Sequence, residues 1–459
     1  MHFPFLSISR FMISLILLGC LVCAQAITEK DVVVAVENTF WRMQTAPIPA
    51  IEEITPIDDE KTQTLAFIVS LQPQGYVVVG ADRSLPPVVA YSLNQSCDDP
   101  NDPANPLITL VKSDMLRRLA WNRQQSPSER SSIQEWESLL AGEWDVNRDQ
   151  RFEQWPPEGS TSSGGWVETH WTQSYPYNQY CPIDAGSGNH SVAGCPAVAM
   201  GMIVDYHRNT HGTEFNDGDD YYHNFSGNQF WIDDDYAQWG FPSFPELNSM
   251  LAGVQDSYNH QIPLTGADKG ALVFACGVAA EQVYSGTVSG TFAVNQAFQA
   301  YQRLGYDDSV LLGPDGGNIY AEMISDIQEG LPVHLALVTP DWQSGHNVIV
   351  DGYNTDDYFH INFGWGGTND GWYLLPQEVP YGLTVVEGVV VDIIPDQILM
   401  TGDLNLDEIV NVQDIIILLN IILGQEPSQE QLQTGDVNGD SNLDVLDIVG
   451  IVNIILGVN

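Results

Sequence analysis

The chain has 459 residues and a mass of 50.6 kDa, which is too large for a single compact core, so about two to four domains are expected. Its 60 acidic and 15 basic residues give a formal net charge of −45. This charge argues against binding to nucleic acid or to an anionic membrane, and it favours a soluble chain that binds cations. Beyond the N-terminal segment, no stretch has the about 18 consecutive apolar residues that a membrane-spanning helix needs.

Residues 1–26 have the pattern of a secretory signal peptide. An apolar core over 11–23 is followed by the small-residue sequence 24–26, which is typical of a cleavage site. The alternative is a lipoprotein signal with Cys20 as the lipidated residue. That alternative is disfavoured because the apolar run continues to Val22 and no polar tether follows. The mature protein is therefore predicted to be exported.

The cysteines do not form a disulfide framework. Two of the six lie in the signal segment, and four remain over more than 400 residues. That number fits one reactive thiol and at most one bridge, for which Cys181 and Cys276 are the candidates. The four remaining cysteines are Cys97, Cys181, Cys195 and Cys276.

Residues 27 to about 150 are predicted to form a first unit. Apolar runs at 65–71 and 75–81 predict two strands joined by a turn, and a helix is expected over 108–122. The polar, weakly patterned segment 124–153 and the Pro, Gly and Ser residues of 156–165 predict an exposed connector. Such a connector is a natural site for proteolysis.

Residues 166 to about 395 predict an α+β unit in which helices come first and an antiparallel sheet follows. Helices are expected at Cys195, over 271–284 and over 291–304, and strands over 331–338, 346–353, 358–363 and 371–375.

Cys195 is the candidate nucleophile. Pro196 suits the first position inside a helix, which places Cys195 at the N-cap with an apolar run behind it. The positive end of the helix dipole is expected to favour the thiolate and lower the thiol pKa. The alternative is that Cys195 is a small buried side chain that caps a core helix. The presence of a partner base near the thiol would distinguish the nucleophile from this structural role.

His346 is the candidate base, because it enters a strand from a small-residue turn and so lies at the rim of the sheet. His334 stands among apolar strand residues and is interpreted as a structural histidine. The turn at 354–357 brings Asn362 and Trp365 back toward His346. An amide there could hold the imidazole tautomer and the indole could shield it, unless Asn362 is only a strand-end residue.

These residues carry a resemblance to a known family. The segments 173–178, 193–195, 276–279, 345–353 and 360–367 resemble, in the same order, the streptopain family of secreted papain-like cysteine peptidases. The resemblance implies that Cys195 is the nucleophile, that His346 is general base and acid, and that the Gln173 side chain is an oxyanion donor beside the Cys195 N–H. It also places Asn362 and Trp365 where the family supports its histidine.

The chain departs from the family pattern at two places. The spacing from Gln173 to Cys195 is short, and Phe363 stands where the family usually has Trp. These differences bear on the shape of the cleft. Upstream, 75–83 and 89–92 are similar to the inhibitory propeptide of the family. The resemblance thus implies a propeptide over 27–155 and a peptidase domain over 156–396, with a permanent N-terminal domain as the alternative.

The last sixty or so residues contain a repeat with a period of 33, since the sequence at 402–407 recurs at 435–440. Each copy has oxygen-bearing residues at positions 1, 3, 5, 9 and 12 of a calcium loop and a backbone carbonyl at position 7. Glu408 and Ser441 replace the usual glycine at position 6. The candidate ligands are Asp403, Asn405, Asp407, Ile409, Asn411 and Asp414 in the first loop, and Asp436, Asn438, Asp440, Asn442, Asp444 and Asp447 in the second.

Two such loops, each leading into an apolar helix, resemble a dockerin module, which implies a small all-α domain over 397–459 with two structural Ca²⁺ ions and a cohesin-type partner.

The whole sequence predicts a secreted cysteine endopeptidase made as a zymogen. The enzyme is expected to act on proteins or peptides, to need no cofactor for catalysis and to be held in a surface complex by its tail. The alternatives are a Cys-His amidase or acyl transferase, and a non-catalytic surface-attached protein.

Overall fold

The computed structural model describes residues 26–43, 47–59, 61, 63–97, 99–102, 105–123, 131–143, 152–313, 318–338, 345–375, 385–395, 400–406 and 409–457. Residues 1–25, which hold nearly all of the predicted secretory signal, lie outside these ranges. The chain divides into two compact units between Ile394 and Pro395. None of the helices in the described ranges combines the length and the apolar character needed to span a bilayer.

The helices of the described residues are α1 Glu29–Arg42, α2 Pro106–Asn122, α3 Ser131–Ala141, α4 Cys195–His207, α5 Tyr236–Trp239, α6 Phe244–Asn259, α7 Gly266–Ala279, α8 Val294–Arg303, α9 Ile319–Glu329, α10 Val412–Ile422, α11 Gln429–Gly435 and α12 Val445–Leu456. The strands are β1 Ala50–Asp58, β2 Thr64–Gln72, β3 Tyr76–Gly80, β4 Val88–Ser92, β5 Gln154–Trp155, β6 Tyr222–Phe225, β7 Asn228–Trp231, β8 Val310–Leu312, β9 Val333–Val338, β10 Gly345–Asn354, β11 Tyr358–Asn362, β12 Gly371–Leu374 and β13 Val385–Val391.

One antiparallel sheet of 11 strands runs through the first unit. Its order is β1-β2-β3-β4-β12-β11-β10-β9-β13-β8, and β5 pairs with β10. The N-terminal strands join the later strands where Tyr91 and Ala90 of β4 pair with Trp372 and Tyr373 of β12. The N-terminal unit predicted from the sequence therefore shares its sheet with the α+β unit that follows it.

The predicted connector 124–153 is not wholly exposed. Its middle part forms α3, in which Trp136 is fully buried and donates a hydrogen bond from Nε1 to the Leu85 carbonyl at 2.9 Å. Trp136 and Leu139 lie three residues apart on the face of α3 that packs on the N-terminal core. The polar residues around them hid this stripe in the sequence. Residues 124–130 and 144–151 lie outside the described ranges.

The helices beside the sheet explain the long apolar runs in the middle of the chain. All residues of α4 from Pro196 to Val204 are buried, and α7 is buried from Gly270 to Val278. A helix that is apolar on every side needs neighbours all round, and these two belong to one core with Ala336 and Ile349 of the sheet. Cys181 and Cys276 are both buried free thiols, so the candidate disulfide between them is not formed.

The second unit is a separate small helical domain. Its core consists of four buried side chains, Leu404, Leu418, Ile421 and Ile451. The two long helices, α10 and α12, contribute three of these and occupy equivalent places in the two copies of the repeat. The α+β class of the first unit and the all-α class of the second are both confirmed.

Asp326 of α9 gives the first unit a measurable pH dependence. Burial raises the pKa of this carboxyl to about 7, and the nearby Asp392 carboxylate adds to the rise. Between about pH 4 and about pH 7 the folded chain therefore holds a proton that the unfolded chain has lost, so the free energy of unfolding falls as the pH rises through that window.

We expect Asp326→Asn to remove this pH-dependent fall in the free energy of unfolding, so that the variant is more stable than wild type at pH 8 by about 1 to 3 kcal/mol. The difference in stability between variant and wild type should disappear near pH 4, where the Asp326 carboxyl is protonated in the folded chain. The measurement is the denaturant midpoint of wild type and variant across that range. Glu158→Gln, an exposed change elsewhere in the first unit, is the control. Parallel pH profiles for wild type and Asp326→Asn would contradict the assignment.

Candidate active site

Cys195 is the first residue of α4 and not its N-cap, so the helix begins one residue earlier than the sequence predicted, and Gly194 is the N-cap. Gly194 has φ of 86°, a left-handed conformation that favours glycine. A Cβ there would lie 2.6 Å from Oε1 of Gln282, whose Nε2 donates to the Ala193 carbonyl at 2.7 Å. The turn that places Cys195 at the start of α4 therefore requires glycine at 194, because the Gln282 side chain lies too close for any other residue.

The thiol of Cys195 faces two N–H groups of one residue. The backbone N and the side-chain Nδ2 of Asn347 lie 3.5 Å and 3.9 Å from Sγ. Burial raises the pKa of the thiol, and the two N–H groups oppose that rise. The sequence predicted a lowered pKa from the helix dipole. In the full chain the loss of water around the sulfur outweighs the nearby donors.

His346 lies at the start of β10, where its Nε2 donates to the Phe363 carbonyl at 2.9 Å. A carbonyl only accepts, so Nε2 carries the proton and the Nδ1 lone pair is left to act as a base. Burial lowers the pKa of the imidazole to about 4. Among the described residues, Cys195 and His346 make no hydrogen bond to each other.

Trp365 covers the imidazole. Its ring stacks on that of His346 with a centroid distance of 4.5 Å and an interplanar angle of 20°. The indole therefore lies where the sequence hypothesis places it. The amide of Asn362 instead donates to the Thr169 carbonyl at 2.9 Å and accepts from the Gly364 N–H at 3.0 Å. The group that accepts from His346 belongs to the next residue along the chain, Phe363.

Asp370 supports this arrangement from behind. Its carboxylate is fully buried and accepts from the Phe363 N–H at 2.8 Å and from Nδ1 of His170 at 3.0 Å. It thereby holds the backbone of Phe363, the residue whose carbonyl accepts the hydrogen bond from His346. The sequence analysis did not identify Asp370, since nothing in its local pattern marks it as a buried acceptor.

Gln173 is tied to the nucleophile by the backbone. Its carbonyl accepts from the Ala193 N–H at 2.9 Å, two residues before Cys195. The side chain of Gln173 is half-buried. The short spacing between Gln173 and Cys195 therefore still brings the two residues into the same part of the fold.

A second polar pair missed by the sequence lies nearby in the sheet. His360 of β11 is buried and binds Asp351 of β10, with Nδ1 2.7 Å from Oδ1. The other oxygen of Asp351 accepts from the Val167 N–H at 2.8 Å. A Cβ on Gly165 would lie 2.2 Å from that oxygen, so glycine is required where this segment crosses the sheet.

The calcium loops keep their position-12 carboxylates inside. Asp414 and Asp447 are fully buried, and each accepts three backbone N–H bonds from its own loop. Asp436 of the second loop accepts from the Gly439, Asp440 and Ser441 N–H groups, which draws the loop around its carboxylate. Asp407 of the first loop lies outside the described residues.

In the described part of the chain, no three acidic, histidine or cysteine side chains converge as a metal cluster. A calcium loop takes much of its ligand set from amide and carbonyl oxygens, which here belong to Asn405, Ile409 and Asn411 in the first loop and Asn438 and Asn442 in the second. The oxygen-only donor set and the two buried carboxylates fit Ca²⁺.

Comparison with known protein families gives three matches. Residues 171–373 match the Peptidase C10 family, residues 401–456 match the Dockerin type I domain and residues 28–115 match the Spi protease inhibitor family. Residues 171–373 are thus similar to a Peptidase C10 cysteine peptidase and residues 401–456 to a Dockerin type I domain, which confirms the resemblance predicted from the sequence. Dockerin type I domains generally bind calcium.

Two curated relatives match over long segments. Streptopain from Streptococcus pyogenes serotype M1 is 22% identical over 345 residues, which cover 69% of this chain and 75% of streptopain. The thiol protease/hemagglutinin PrtT from Porphyromonas gingivalis is 26% identical over 254 residues, which cover 49% of this chain. The chain spans only 27% of the length of PrtT.

Among solved structures, a fragment of prointerpain A from Prevotella intermedia superposes with a TM-score of 0.50 and 18% identity, covering 74% of this chain and 98% of that one. This likeness confirms the predicted fold class, a papain-like α+β fold in which an α+β N-terminal part precedes the papain-like part.

Proposed function

We propose that this chain, with its Peptidase C10 and Dockerin type I domains, is a secreted cysteine endopeptidase made as a latent precursor and attached through a calcium-dependent tail. The observation that supports the proposal most strongly is the arrangement at one rim of the sheet. Cys195 begins a buried helix, and His346, one residue before the Asn347 that contacts the Cys195 sulfur, lies under Trp365.

In the proposed reaction, Nδ1 of His346 takes the proton of the Cys195 thiol and the thiolate attacks the carbonyl carbon of the scissile amide. The new C–S bond makes a tetrahedral oxyanion, which the Cys195 N–H and the Gln173 amide stabilise. His346 then protonates the leaving amine as the C–N bond breaks. Water, deprotonated by His346, hydrolyses the thioester and restores the thiol.

The full chain is proposed to be latent. Burial raises the thiol pKa of Cys195 and lowers the imidazole pKa of His346, so both groups are neutral and the reactive ion pair is disfavoured. The N-terminal unit touches the loop that carries Trp365, because the Asn369 N–H donates to the Ser96 carbonyl at 3.1 Å. This contact supports a role for residues 27 to about 151 as an inhibitory propeptide.

The N-terminal unit is held on the peptidase by buried polar contacts. The hydroxyls of Tyr76 and Tyr373 lie 2.6 Å apart, and Nη2 of Arg118 donates to the Leu374 carbonyl at 2.6 Å. These contacts bridge the β4–β12 junction. Their number and burial support an inhibitor that stays bound until the chain is cut.

The cut is proposed to lie before Phe152. Gln154 and Trp155 pair with β10, and the Glu153 carbonyl accepts from the Thr355 N–H at 3.0 Å. Residues from 153 onward therefore belong structurally to the peptidase sheet, and the mature enzyme is proposed to keep them. This moves the proposed boundary slightly upstream of residue 155.

The tail is proposed to bind two Ca²⁺ ions through its twelve candidate ligands and to attach the enzyme to a cohesin-type partner. Each long helix presents exposed apolar side chains at repeat-equivalent positions, Val412 and Ile416 on α10 and Val445 and Val449 on α12. Exposed apolar stripes of this kind support protein docking. The enzyme is proposed to act outside the cell, in a surface complex, on protein or peptide substrates.

Thiol labelling tests the assignment of the nucleophile. We expect an iodoacetamide label on the mature enzyme at neutral pH to appear first at Cys195, with loss of peptide hydrolysis in proportion to labelling. Cys181 and Cys276 are internal controls, because burial raises the pKa of both thiols far above the ordinary value. Equal labelling of all thiols with hydrolysis intact would contradict the assignment.

A further inference from the structure

Asn347 connects the sulfur of Cys195 to the buried ring of His334. We propose that the Asn347 amide is a second catalytic support for the Cys195 thiolate, and that His334 is a positioning residue that keeps this amide in its donating orientation. The proposal rests on the proposed peptidase function and deepens it. It also gives a role to a histidine that the sequence analysis assigned to the core.

The contacts form an unbroken chain. The hydroxyl of Tyr301 lies 3.1 Å from Nδ1 of His334, and Nε2 of His334 lies 2.7 Å from Oδ1 of Asn347. Nδ2 of Asn347 then lies 3.9 Å from Sγ of Cys195, and the Asn347 backbone N lies 3.5 Å from it. The chain starts on α8, crosses two strands and ends at the first residue of α4.

The strand register explains why these residues meet. Asn347 pairs with Ala336, and His334 lies two residues from Ala336 on β9. Residues two apart in a strand point to the same face, so His334 and Asn347 are diagonal neighbours on one face of the sheet. Ala336 and Ile349 on this face belong to the same core as α4. The face is therefore the one that carries the Cys195 helix.

The bonding partners fix the direction of every hydrogen bond. Oδ1 of Asn347 can only accept, so Nε2 of His334 carries its proton and donates. Nδ1 of His334 is then an acceptor, and the Tyr301 hydroxyl donates to it. With Oδ1 engaged by His334, the amide NH₂ of Asn347 is directed at the sulfur.

Among the described residues, no charged group shifts the pKa of the Cys195 thiol. His334 is fully buried and its pKa is lowered to about 4, while burial raises the pKa of Tyr301, so both are neutral near pH 7. His346 is neutral there as well, and the buried Cys276 thiol is protonated. Because the site is buried and has a low local dielectric, two N–H donors stabilise a thiolate more than they would in water.

The side-chain donor is the part that depends on the identity of residue 347. Any residue other than proline supplies the backbone N–H, but an amide side chain adds a second donor that an apolar residue lacks. A hydrogen bond to an ionised group is stronger than one between neutral groups, and the length of this contact, 3.9 Å, places it among the weaker bonds of that kind.

The test is the pH dependence of iodoacetamide alkylation at Cys195 in the full chain, quantified by mass spectrometry of the Cys195 peptide. We expect Asn347→Leu to raise the alkylation midpoint by about one pH unit, which slows labelling about tenfold at pH 7. Asn347→Asp keeps the acceptor for His334 and puts a negative charge near the sulfur, so its midpoint should rise further.

His334 is tested by two replacements. His334→Phe removes the donor that holds the amide and should raise the midpoint by about half a unit, while His334→Gln keeps an N–H donor and should stay within about 0.3 unit of wild type. His223→Gln is the matched control. His223 is also a buried imidazole bonded to backbone groups, so its change should lower the melting temperature and leave the midpoint unmoved.

An unchanged midpoint in folded Asn347→Leu would overturn the proposal, and so would a lowered one, because the amide would then be presenting its oxygen to the thiol. If Asn347→Leu does not fold, Asn347→Ala decides by the same criterion, since it removes the amide without adding bulk or charge. The outcome is independent of the peptidase assignment, which fails only if Cys195→Ala still cleaves peptides.

Discussion

An alanine in place of His346 is expected to lower kcat/KM for a peptide substrate by about a thousandfold or more. The imidazole is the proposed base for the thiol and the proposed acid for the leaving amine, so both steps lose their proton carrier. The side chain is half-buried at the start of β10, so the fold should tolerate its removal. The measurement is single-substrate kinetics on the mature enzyme, with the melting temperature as a check on folding.

His260→Ala is the control for this change, because His260 lies on the surface at the end of α6 with 64% of its side chain exposed. It should leave kcat/KM within about twofold of wild type. Because the Trp365 ring stacks on His346, removal of the imidazole should also change the fluorescence of Trp365. Retention of more than a tenth of the wild-type activity in His346→Ala would reassign the base.

Removing calcium from the isolated tail, residues 395–459, is expected to abolish most of its helical circular dichroism. This segment is a compact unit by itself, and among its described residues four side chains form the buried core. Without a cation the loop carboxylates repel one another, so folding and ion binding should be coupled. Adding Ca²⁺ in excess of chelator should restore the signal, and Mg²⁺ should restore it poorly because it prefers six ligands in a strict octahedron.

Asp414→Ala and Asp447→Ala should each weaken the calcium response, and the double change should remove it. Both side chains are fully buried within their loops. Glu430→Ala, a change of an acidic residue outside both loops, is the control. Identical spectra in calcium and in chelator would reject the calcium proposal and leave the catalytic proposal standing.

The repeats, the apolar helices and the strands of the second half could be predicted from the sequence because each carries its own periodicity. Helix α4 and the strands β9 to β12 lie within a few residues of their predicted positions. Helix α3 was missed because the apolar residues of its buried face, such as Trp136, are few and stand among polar neighbours in the sequence. The edge strand β1 was missed because its residues are mostly polar or half-buried.

The contacts of the candidate site depend on register, which the sequence could only approximate. A bulge between Val350 and Gly352 shifts the pairing of β10 with β11 by one residue. That shift helps decide which residue near the end of β11 reaches His346, and in the structure it is the Phe363 carbonyl that accepts the bond. The sequence could predict that the return strand supports the histidine, but it could not predict the bulge or the supporting atom.

The contact between Asn347 and Cys195 joins residues 152 positions apart, and no local pattern could reveal it. A polar residue directly after His346, just before the apolar run Val348 to Val350, was the visible sign. His334 was read as structural because its neighbours are apolar, and it is indeed fully buried. Burial did not reveal that its ring reaches the amide beside the nucleophile, since that contact arises only when β9 and β10 pair.

The most direct test of the central proposal is casein hydrolysis by three forms of the protein, each with and without a reductant. The forms are the full chain, a chain whose N-terminal unit has been released by cutting before Phe152, and the released chain carrying Cys195→Ala. We expect strong hydrolysis only from the released wild-type chain in reductant. Hydrolysis by the Cys195→Ala form would contradict the account, and so would full activity in the uncut chain.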